Sequence, residues 1–377
     1  MPIYLDHNAT THLDPRVLEA MLPYLSGPAA NASSLHRYGR IARDAIEAAR
    51  VQVAQLVGVT PREVIWTSGG TESNNLAIKG VADSFAPARL LYGATEHPAV
   101  MEAAESLAAH AWNVEAIAVD RRGHVVDSAL QAQLAKADVK LVSLMRANNE
   151  TGVIQDIAHY AGLVHAAGAW LHVDAVQAAG KMPVDMSELG ADLMSLSSHK
   201  IYGPKGIGAL VVRAEVELRP LMHGGAQERG VRGGTENVAA IAGFGCAAEL
   251  AMQELETRTA HLLPLRERLE AGLREIPGTL VFGAGAERLA NTLQFALAGY
   301  DGEALLMQLD RRGMAVSSGS ACAAGNGAPS HVLIAMGYDT VTAKGAIRVS
   351  LGKDNTADDI DRLLAVLGEI ARSLVAA

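Results

Sequence analysis

Lys200 stands in Ser195-Leu196-Ser197-Ser198-His199-Lys200-Ile201-Tyr202-Gly203-Pro204-Lys205-Gly206, where an apolar run gives way to hydroxyls, a histidine and a Gly/Pro turn. A lysine leaving a buried strand at such a turn is placed to form a Schiff base with a carbonyl cofactor, although most lysines are simply solvated. About two dozen residues earlier, a second apolar run ends in His172-Val173-Asp174-Ala175-Val176-Gln177. A carboxylate at the carboxyl end of a buried strand is costly unless it meets a cation, so Asp174 reads either as an ordinary ion pair or cap, or as the partner of a pyridinium nitrogen. His172, on the same strand face, reads as a packed histidine.

Ser68-Gly69-Gly70-Thr71-Glu72-Ser73-Asn74-Asn75 follows another β-branched run and opens a helical pattern. Backbone amides at a helix start hold phosphate, and glycine lets the chain approach it; a turn with an N-cap is the plainer reading. The P-loop pattern G-x-x-x-x-G-K-[ST] does not occur, and Gly243-Phe244-Gly245-Cys246-Ala247-Ala248 matches the dinucleotide fingerprint only inside a helical stretch. Taken together, Lys200, Asp174 and the Gly70-Thr71 loop are the three parts that a pyridoxal phosphate site requires: covalent anchor, ring-nitrogen partner and phosphate cradle.

Three more segments lie at strand ends or in small-residue loops. His97, in Thr95-Glu96-His97-Pro98, is either a ring-stacking acid/base or a helix-start residue, and Asn149, in Asn148-Asn149-Glu150-Thr151-Gly152, offers an amide or a plain turn. Ser317-Ser318-Gly319-Ser320-Ala321-Cys322-Ala323-Ala324-Gly325-Asn326-Gly327-Ala328-Pro329 carries one cysteine among small residues, the composition of a loop able to move a nucleophilic thiol. Cys246 falls in an apolar helical pattern and reads as packing. The two cysteines make neither a disulfide framework nor a C-x-x-C pair, and no metal site is expected.

The elements that must position these residues alternate. Strands are expected at Glu63–Thr67, Arg89–Gly93, Val114–Val119, Lys140–Met145, Trp170–Val173, Leu193–Leu196 and Ala209–Val212, with helices over 38–57, 97–109 and 155–168. Such alternation predicts a mainly parallel sheet flanked by helices, with ligands beyond the strands' carboxyl ends, where the polar clusters fall. After about residue 235 the pattern changes to helices over 235–256 and 258–275, then strands near Thr279–Phe282, Thr292–Ala296 and Ala346–Ser350. A last helix starts at Thr356 with Asp359 three residues on, and carries Ile360, Leu363, Leu364, Leu367, Ile370 and Leu374 on one face.

With 377 residues, 49% hydrophobic and 19% charged, the chain is long enough for two domains and too apolar for bulk disorder. A net charge of −9 and 4% aromatic residues argue against nucleic acid, and the lack of a long apolar run or a basic-then-apolar start leads to a cytoplasmic expectation with no membrane partner.

From Tyr4-Leu5-Asp6-His7-Asn8-Ala9-Thr10-Thr11 to Ile347-Arg348-Val349-Ser350-Leu351-Gly352, the sequence resembles the cysteine desulfurases of the NifS and IscS type, in the class V aminotransferase group of pyridoxal phosphate fold type I. The resemblance implies an α/β fold with a large cofactor-binding domain over 14–256. It implies a smaller α+β domain from 1–13 and 257–377, carrying a mobile cysteine loop at about 317–329. By resemblance Lys200 anchors pyridoxal 5'-phosphate and moves the α-proton, Asp174 pairs with the ring nitrogen, and His97 stacks on the ring as acid/base. Gln177 and Asn149 lie around the ring's phenolic oxygen and the substrate; Gly70, Thr71, Ser197 and His199 form the phosphate cup. Thr235, in Arg232-Gly233-Gly234-Thr235-Glu236-Asn237, reaches the neighbouring subunit's phosphate in a homodimer, and Arg348 holds the substrate carboxylate.

Cys322 matches the nucleophile that takes sulfur from L-cysteine as a persulfide and leaves L-alanine, for delivery to an acceptor such as an iron–sulfur scaffold. A selenocysteine lyase or a class V aminotransferase is the alternative, and Cys322 separates the latter. Arg146, Ala323 and Gly327-Ala328 depart from the common residues at their positions and bear on the choice of acceptor.

Overall fold

The computed structural model describes residues 2–318 and 328–375. In chain order the elements are β1 (Ile3–Tyr4), α1 (Pro15–Ser26), α2 (Arg37–Leu56), β2 (Val64–Thr67), α3 (Gly70–Ala82), β3 (Arg89–Gly93), α4 (Pro98–Glu105), β4 (Asn113–Ile117), α5 (Asp127–Leu134) and β5 (Val139–Met145). They continue with α6 (Ile157–Ala166), β6 (Trp170–Asp174), α7 (Met186–Leu189), β7 (Leu193–Ser197), β8 (Gly208–Val212) and α8 (Val238–Arg274). The rest are β9 (Thr279–Val281), β10 (Thr292–Leu297), α9 (Gly302–Asp310), β11 (Met314–Ala315), β12 (Ser317–Ser318), α10 (His331–Ala335), α11 (Thr340–Lys344), β13 (Ala346–Ser350) and α12 (Ala357–Val375).

Seven strands form one sheet in the order β2-β8-β7-β6-β5-β3-β4. All pairs are parallel except those of β8, which runs against both β2 and β7. The expected sheet is therefore present with one strand reversed. Alternation along the strands feeds both faces: in β3, Leu91 belongs to the core that includes α2, α6 and α8, whereas Leu90 and Tyr92 belong to the one that includes α3 and α4. Burial on both faces is why these strands read as unbroken apolar runs.

A second core gathers Leu262, Leu269 and Leu273 of α8, Leu293 and Phe295 of β10, Ile347 and Val349 of β13, and Ile360, Leu363, Leu367 and Ile370 of α12. Its antiparallel sheet has the order β12-β13-β10-β9. The start of α12 is a capping box: the Thr356 N–H donates to Asp359 Oδ2 at 2.9 Å and the Asp359 N–H to Thr356 Oγ1 at 3.3 Å. Leu364 is partly buried against the same core.

The two helices expected over 235–256 and 258–275 are one, α8, which continues through Pro264. Its first half, from Ala240 to Ala251, belongs to the core of the large sheet and its second half, from Leu262, to the other. Gly243 and Gly245 lie within it, where they let neighbours approach: a Cβ on Gly245 would come within 2.6 Å of the Ala49 Cα of α2. The dinucleotide-like pattern is thus a packing device. Although α8 is long and apolar enough by composition to cross a membrane, half of its apolar window is buried inside the molecule.

The N-terminal segment joins the two cores. Ile3 and Tyr4 pair in parallel with Met314 and Ala315, Asp6 bridges to Ser350, and the chain then crosses to the large sheet, where the Thr11 N–H donates to the His199 carbonyl at 3.0 Å.

Candidate active site

Beyond the carboxyl ends of β5, β6 and β7, Met145, Asp174 and Ser197 open onto a cavity of about 340 Å³. Gly70, Thr71 and Asn74 from the start of α3, His97 from the start of α4, and Asn8, Ala9, Asn149, Gln177, His199, Lys200 and Arg348 complete much of its lining. Except for Thr235 and Cys322, every site residue singled out in the sequence is therefore brought together in one place. Thr235 is exposed and is not part of this lining. Cys322, with the rest of 319–327, lies outside the described residues.

Lys200 follows β7 in a single 3₁₀ turn, and its Nζ donates to the main-chain carbonyls of Asn8 at 2.5 Å and Ala9 at 2.8 Å. Asp174 ends β6; its Oδ2 accepts from Asn74 Nδ2 at 2.7 Å and its Oδ1 from the Val176 N–H at 2.9 Å. Both donors are neutral, so neither is a charged partner for the carboxylate. Asn74 was visible only as part of the Ser-Gly-Gly-Thr motif, and its contact with a residue 100 positions away left no mark in the sequence.

His97 is the helix-start residue of the two readings, and it also borders the cavity. It is the N-cap of α4, its Nδ1 accepting the Ala99 N–H at 3.1 Å, and its ring lines the cavity. An accepting Nδ1 in a neutral ring puts the proton on Nε2. Burial lowers the His97 pKa, against an opposing pull from Asp174. Just before it, Glu96 is 1% exposed, and burial, with Asp174 nearby, raises its pKa well above the usual carboxylate range. Its Oε1 accepts the Met145 N–H at 2.6 Å and so ties the ends of β3 and β5 together.

In the same cavity lining, the hydroxyl of Ser197 is buried without a hydrogen-bond partner among the described residues. Beside it, a Cβ on Gly70 would come within 2.9 Å of Val176 Cγ2 and 3.6 Å of Ser197 Cβ. His199 shares its Nδ1 with Thr10 Oγ1 at 3.1 Å, and burial with nearby Lys200, Lys205 and Lys181 lowers its pKa to about 4. An adjoining hollow of about 420 Å³ adds Lys205 to Gly70, Thr71, Ser197 and His199. A buried hydroxyl, the N-terminus of α3 and a lysine make a donor set that suits a phosphate, while Asp174 in the same lining suits a ring cation. The residues fit pyridoxal phosphate.

Arg348, on β13 and 3% exposed, donates from Nη2 to Asp6 Oδ1 at 2.7 Å and from Nη1 to the Asn149 carbonyl at 3.1 Å. Its Nε is buried without a hydrogen-bond partner among the described residues. Both flanks of the undescribed stretch are fixed next to these groups. Ser317 pairs with Arg348, Ser330 Oγ donates to Glu150 Oε2 at 2.6 Å, and His331 Nε2 donates to the Glu96 carbonyl at 2.8 Å. His172 is packed, held between Ser143 at 2.7 Å and Ser195 at 2.9 Å, and half-buried Cys246 has its thiol pKa raised by burial.

A lysine, a carboxylate and a phosphate-type cradle at the switch between strand ends of an α/β sheet define a pyridoxal phosphate enzyme of fold type I. Residues 3–363 match the family model of the class-V aminotransferases. A relative from Anaeromyxobacter sp. (strain Fw109-5), named cysteine desulfurase IscS, is 45% identical over 99% of this chain and 93% of its own. A protein of the same name from Salmonella paratyphi B is 45% identical over 96% of this chain and 90% of its own. Among solved structures, a NifS-like protein superposes with a TM-score of 0.92 at 39% identity, covering 98% of this chain and 99% of its own. SspA in complex with cysteine superposes at 0.81 with 32% identity, covering 94% and 100%. The chain belongs to the class-V aminotransferase family and, within it, to the pyridoxal phosphate-dependent cysteine desulfurases.

Proposed function

We propose that this enzyme converts L-cysteine to L-alanine, passes the sulfur to Cys322 as a persulfide, and delivers it to an acceptor protein such as an iron–sulfur scaffold. The observation that carries the reading is the meeting of Lys200, Asp174, His97 and Arg348 around one cavity that also holds the buried Ser197 hydroxyl, without a hydrogen-bond partner among the described residues.

Bound there, pyridoxal phosphate supplies an electron sink for the pair left when a bond at the substrate α-carbon breaks. Lys200 would be the covalent anchor and the base that moves the α-proton; the Asn8 and Ala9 carbonyls hold its Nζ at the cavity floor. Asp174, braced by Asn74 and the Val176 N–H, keeps a proton on the ring nitrogen. Gly70, Thr71, Ser197 and His199 take the phosphate. Gln177 and Asn149 donate hydrogen bonds around the ring oxygen and the substrate. His97, which borders the same cavity, would stack on the ring as its acid/base.

Arg348 binds the substrate carboxylate and fixes the side chain's direction. The Cys322 thiolate attacks the substrate sulfur; an S–S bond forms, the carbon–sulfur bond breaks, and its electron pair returns to carbon, where proton uptake completes alanine. That Ser317, Ser330 and His331 are fixed beside Arg348, Glu150 and Glu96 supports a thiol supplied from between them.

The division into 14–256 against 1–13 with 257–377 is part of this reading, supported by the change of core along α8. So is a cytoplasmic homodimer in which Thr235, exposed on one protomer, reaches the hollow beside Ser197 and His199 of its partner. The test is alanine formation from L-cysteine by the cofactor-loaded protein with no 2-oxo acid supplied. Alanine that appears only with a 2-oxo acid acceptor would make the protein a transaminase instead.

A further inference from the structure

Behind Lys200, Lys181 Nζ donates to Gln177 Oε1 at 2.5 Å and to Asn8 Oδ1 at 2.9 Å. The turn of Ala178–Met182 brings it there: Gly180, at φ +71°, sits so close to the core that a Cβ would come within 2.7 Å of Ile201 Cγ2. Part of the lysine's surface lines a cavity of about 30 Å³ shared with His7 and Lys200.

The orientation of both amides is fixed by groups that can only accept. Gln177 Nε2 donates to the Asn8 main-chain carbonyl at 2.9 Å, so the opposite end of that amide, facing Lys181, is its oxygen. Asn8 Nδ2 donates to the Asn149 carbonyl at 3.1 Å, so its Oδ1 likewise faces Lys181, joined by Asn291 Nδ2 at 3.1 Å. Two amide oxygens of residues 5% and 1% exposed thus converge on one amine. Without that donor Gln177 Oε1 loses its partner, and the amide is left with the bond to the Asn8 carbonyl as its one hold among the described residues, so its Nε2 is positioned less firmly.

We propose that Lys181 is a positioning residue for the cofactor: by holding Gln177 Oε1, it commits the second N–H of Gln177 to donate into the cavity, toward the ring oxygen. The proposal rests on the role of Gln177 given above. Burial, with Lys200 and Arg348 nearby, lowers the Lys181 pKa well below the usual lysine range, and either protonation state of the amine supplies both donor bonds.

The test is a double-mutant cycle read by equilibrium binding of pyridoxal phosphate to the apoprotein, with the apoprotein's melting temperature as the check on folding. Lys181→Met is expected to weaken binding about tenfold in the native background and less than about twofold beside Gln177→Leu. An equal loss in both backgrounds, or none in a folded Lys181→Met protein, overturns the proposal. If Gln177→Leu itself binds the cofactor as tightly as the native chain, the reading of Gln177 fails and the proposal with it. Where Lys181→Met does not fold, Lys181→Gln, which keeps a donor on a shorter reach, replaces it. A loss of about threefold that disappears beside Gln177→Leu supports the proposal, and any other pattern overturns it.

Discussion

The guanidinium of Arg348 holds the carboxylate of Asp6 at 2.7 Å, from a strand of the smaller core to a residue only six from the N-terminus. In the substrate-binding reading, an incoming carboxylate must share that guanidinium with a charge of its own sign. Asp6→Asn removes the competitor, and KM for L-cysteine is expected to fall about threefold with kcat little changed. Arg348→Lys loses the planar fork, and KM should rise about tenfold or more. Steady-state alanine formation measures both, and an unchanged KM in Arg348→Lys would place the carboxylate elsewhere.

Lys200 is the proposed covalent anchor, and its Nζ already lies on two carbonyls. Borohydride reduction of the loaded protein should fix the cofactor to the peptide carrying Lys200. Lys200→Ala should retain no reducible linkage and make no alanine. A linkage found on Lys181 or Lys205 would move the anchor.

His172 is buried neutral between two serine hydroxyls, with its pKa lowered from 6.5 to about 4, chiefly by burial. Between those two values the unfolded chain binds a proton at this residue that the folded chain refuses. Its contribution is therefore whole above pH 6.5 and lost as pH falls to about 4, a difference of up to ~3 kcal/mol. Glu96 and Glu150, whose pKa values are raised by burial, act in the opposite direction. They do so equally in His172→Gln, so they cancel in a comparison. Apoprotein stability, measured by urea unfolding of native and His172→Gln chains, should differ most at pH 7, with the gap narrowing toward pH 4. A gap independent of pH would show that the ring does not titrate in this window.

Gly245 lets α8 lie against α2 at the Ala49 backbone. Gly245→Ala gains helix propensity but must push the helices apart, with a net cost of about 1–3 kcal/mol. A melting temperature equal to or above that of the native protein would contradict the close packing.

Most of the site was legible because each part sits in its own local signature: Lys200 and Asp174 at the ends of apolar runs, Gly70 and Thr71 before a helical pattern, His97 before a proline. What escaped was what joins the parts. Asn8 meets Asn149, Gln177, Lys181, Lys200 and Thr292 through pairs separated by 141 to 284 positions, and no periodicity encodes such contacts. The reversal of β8 was equally hidden, since a strand buried on both faces shows the same apolar run in either direction. The division expected between 256 and 258 is one that α8 does not make; its two flanks are buried in separate cores, and the helix runs on through Pro264 as well.

The central claim is that Cys322 takes the sulfur while Lys200 and its neighbours hold the cofactor. Alanine and sulfide released from L-cysteine in the presence of a thiol reductant, by native and Cys322→Ala proteins loaded with pyridoxal phosphate, test it most directly. The account predicts equal alanine and sulfide from the native protein, and a Cys322→Ala protein that keeps its cofactor but releases neither. Sulfide at the native rate from Cys322→Ala would contradict it.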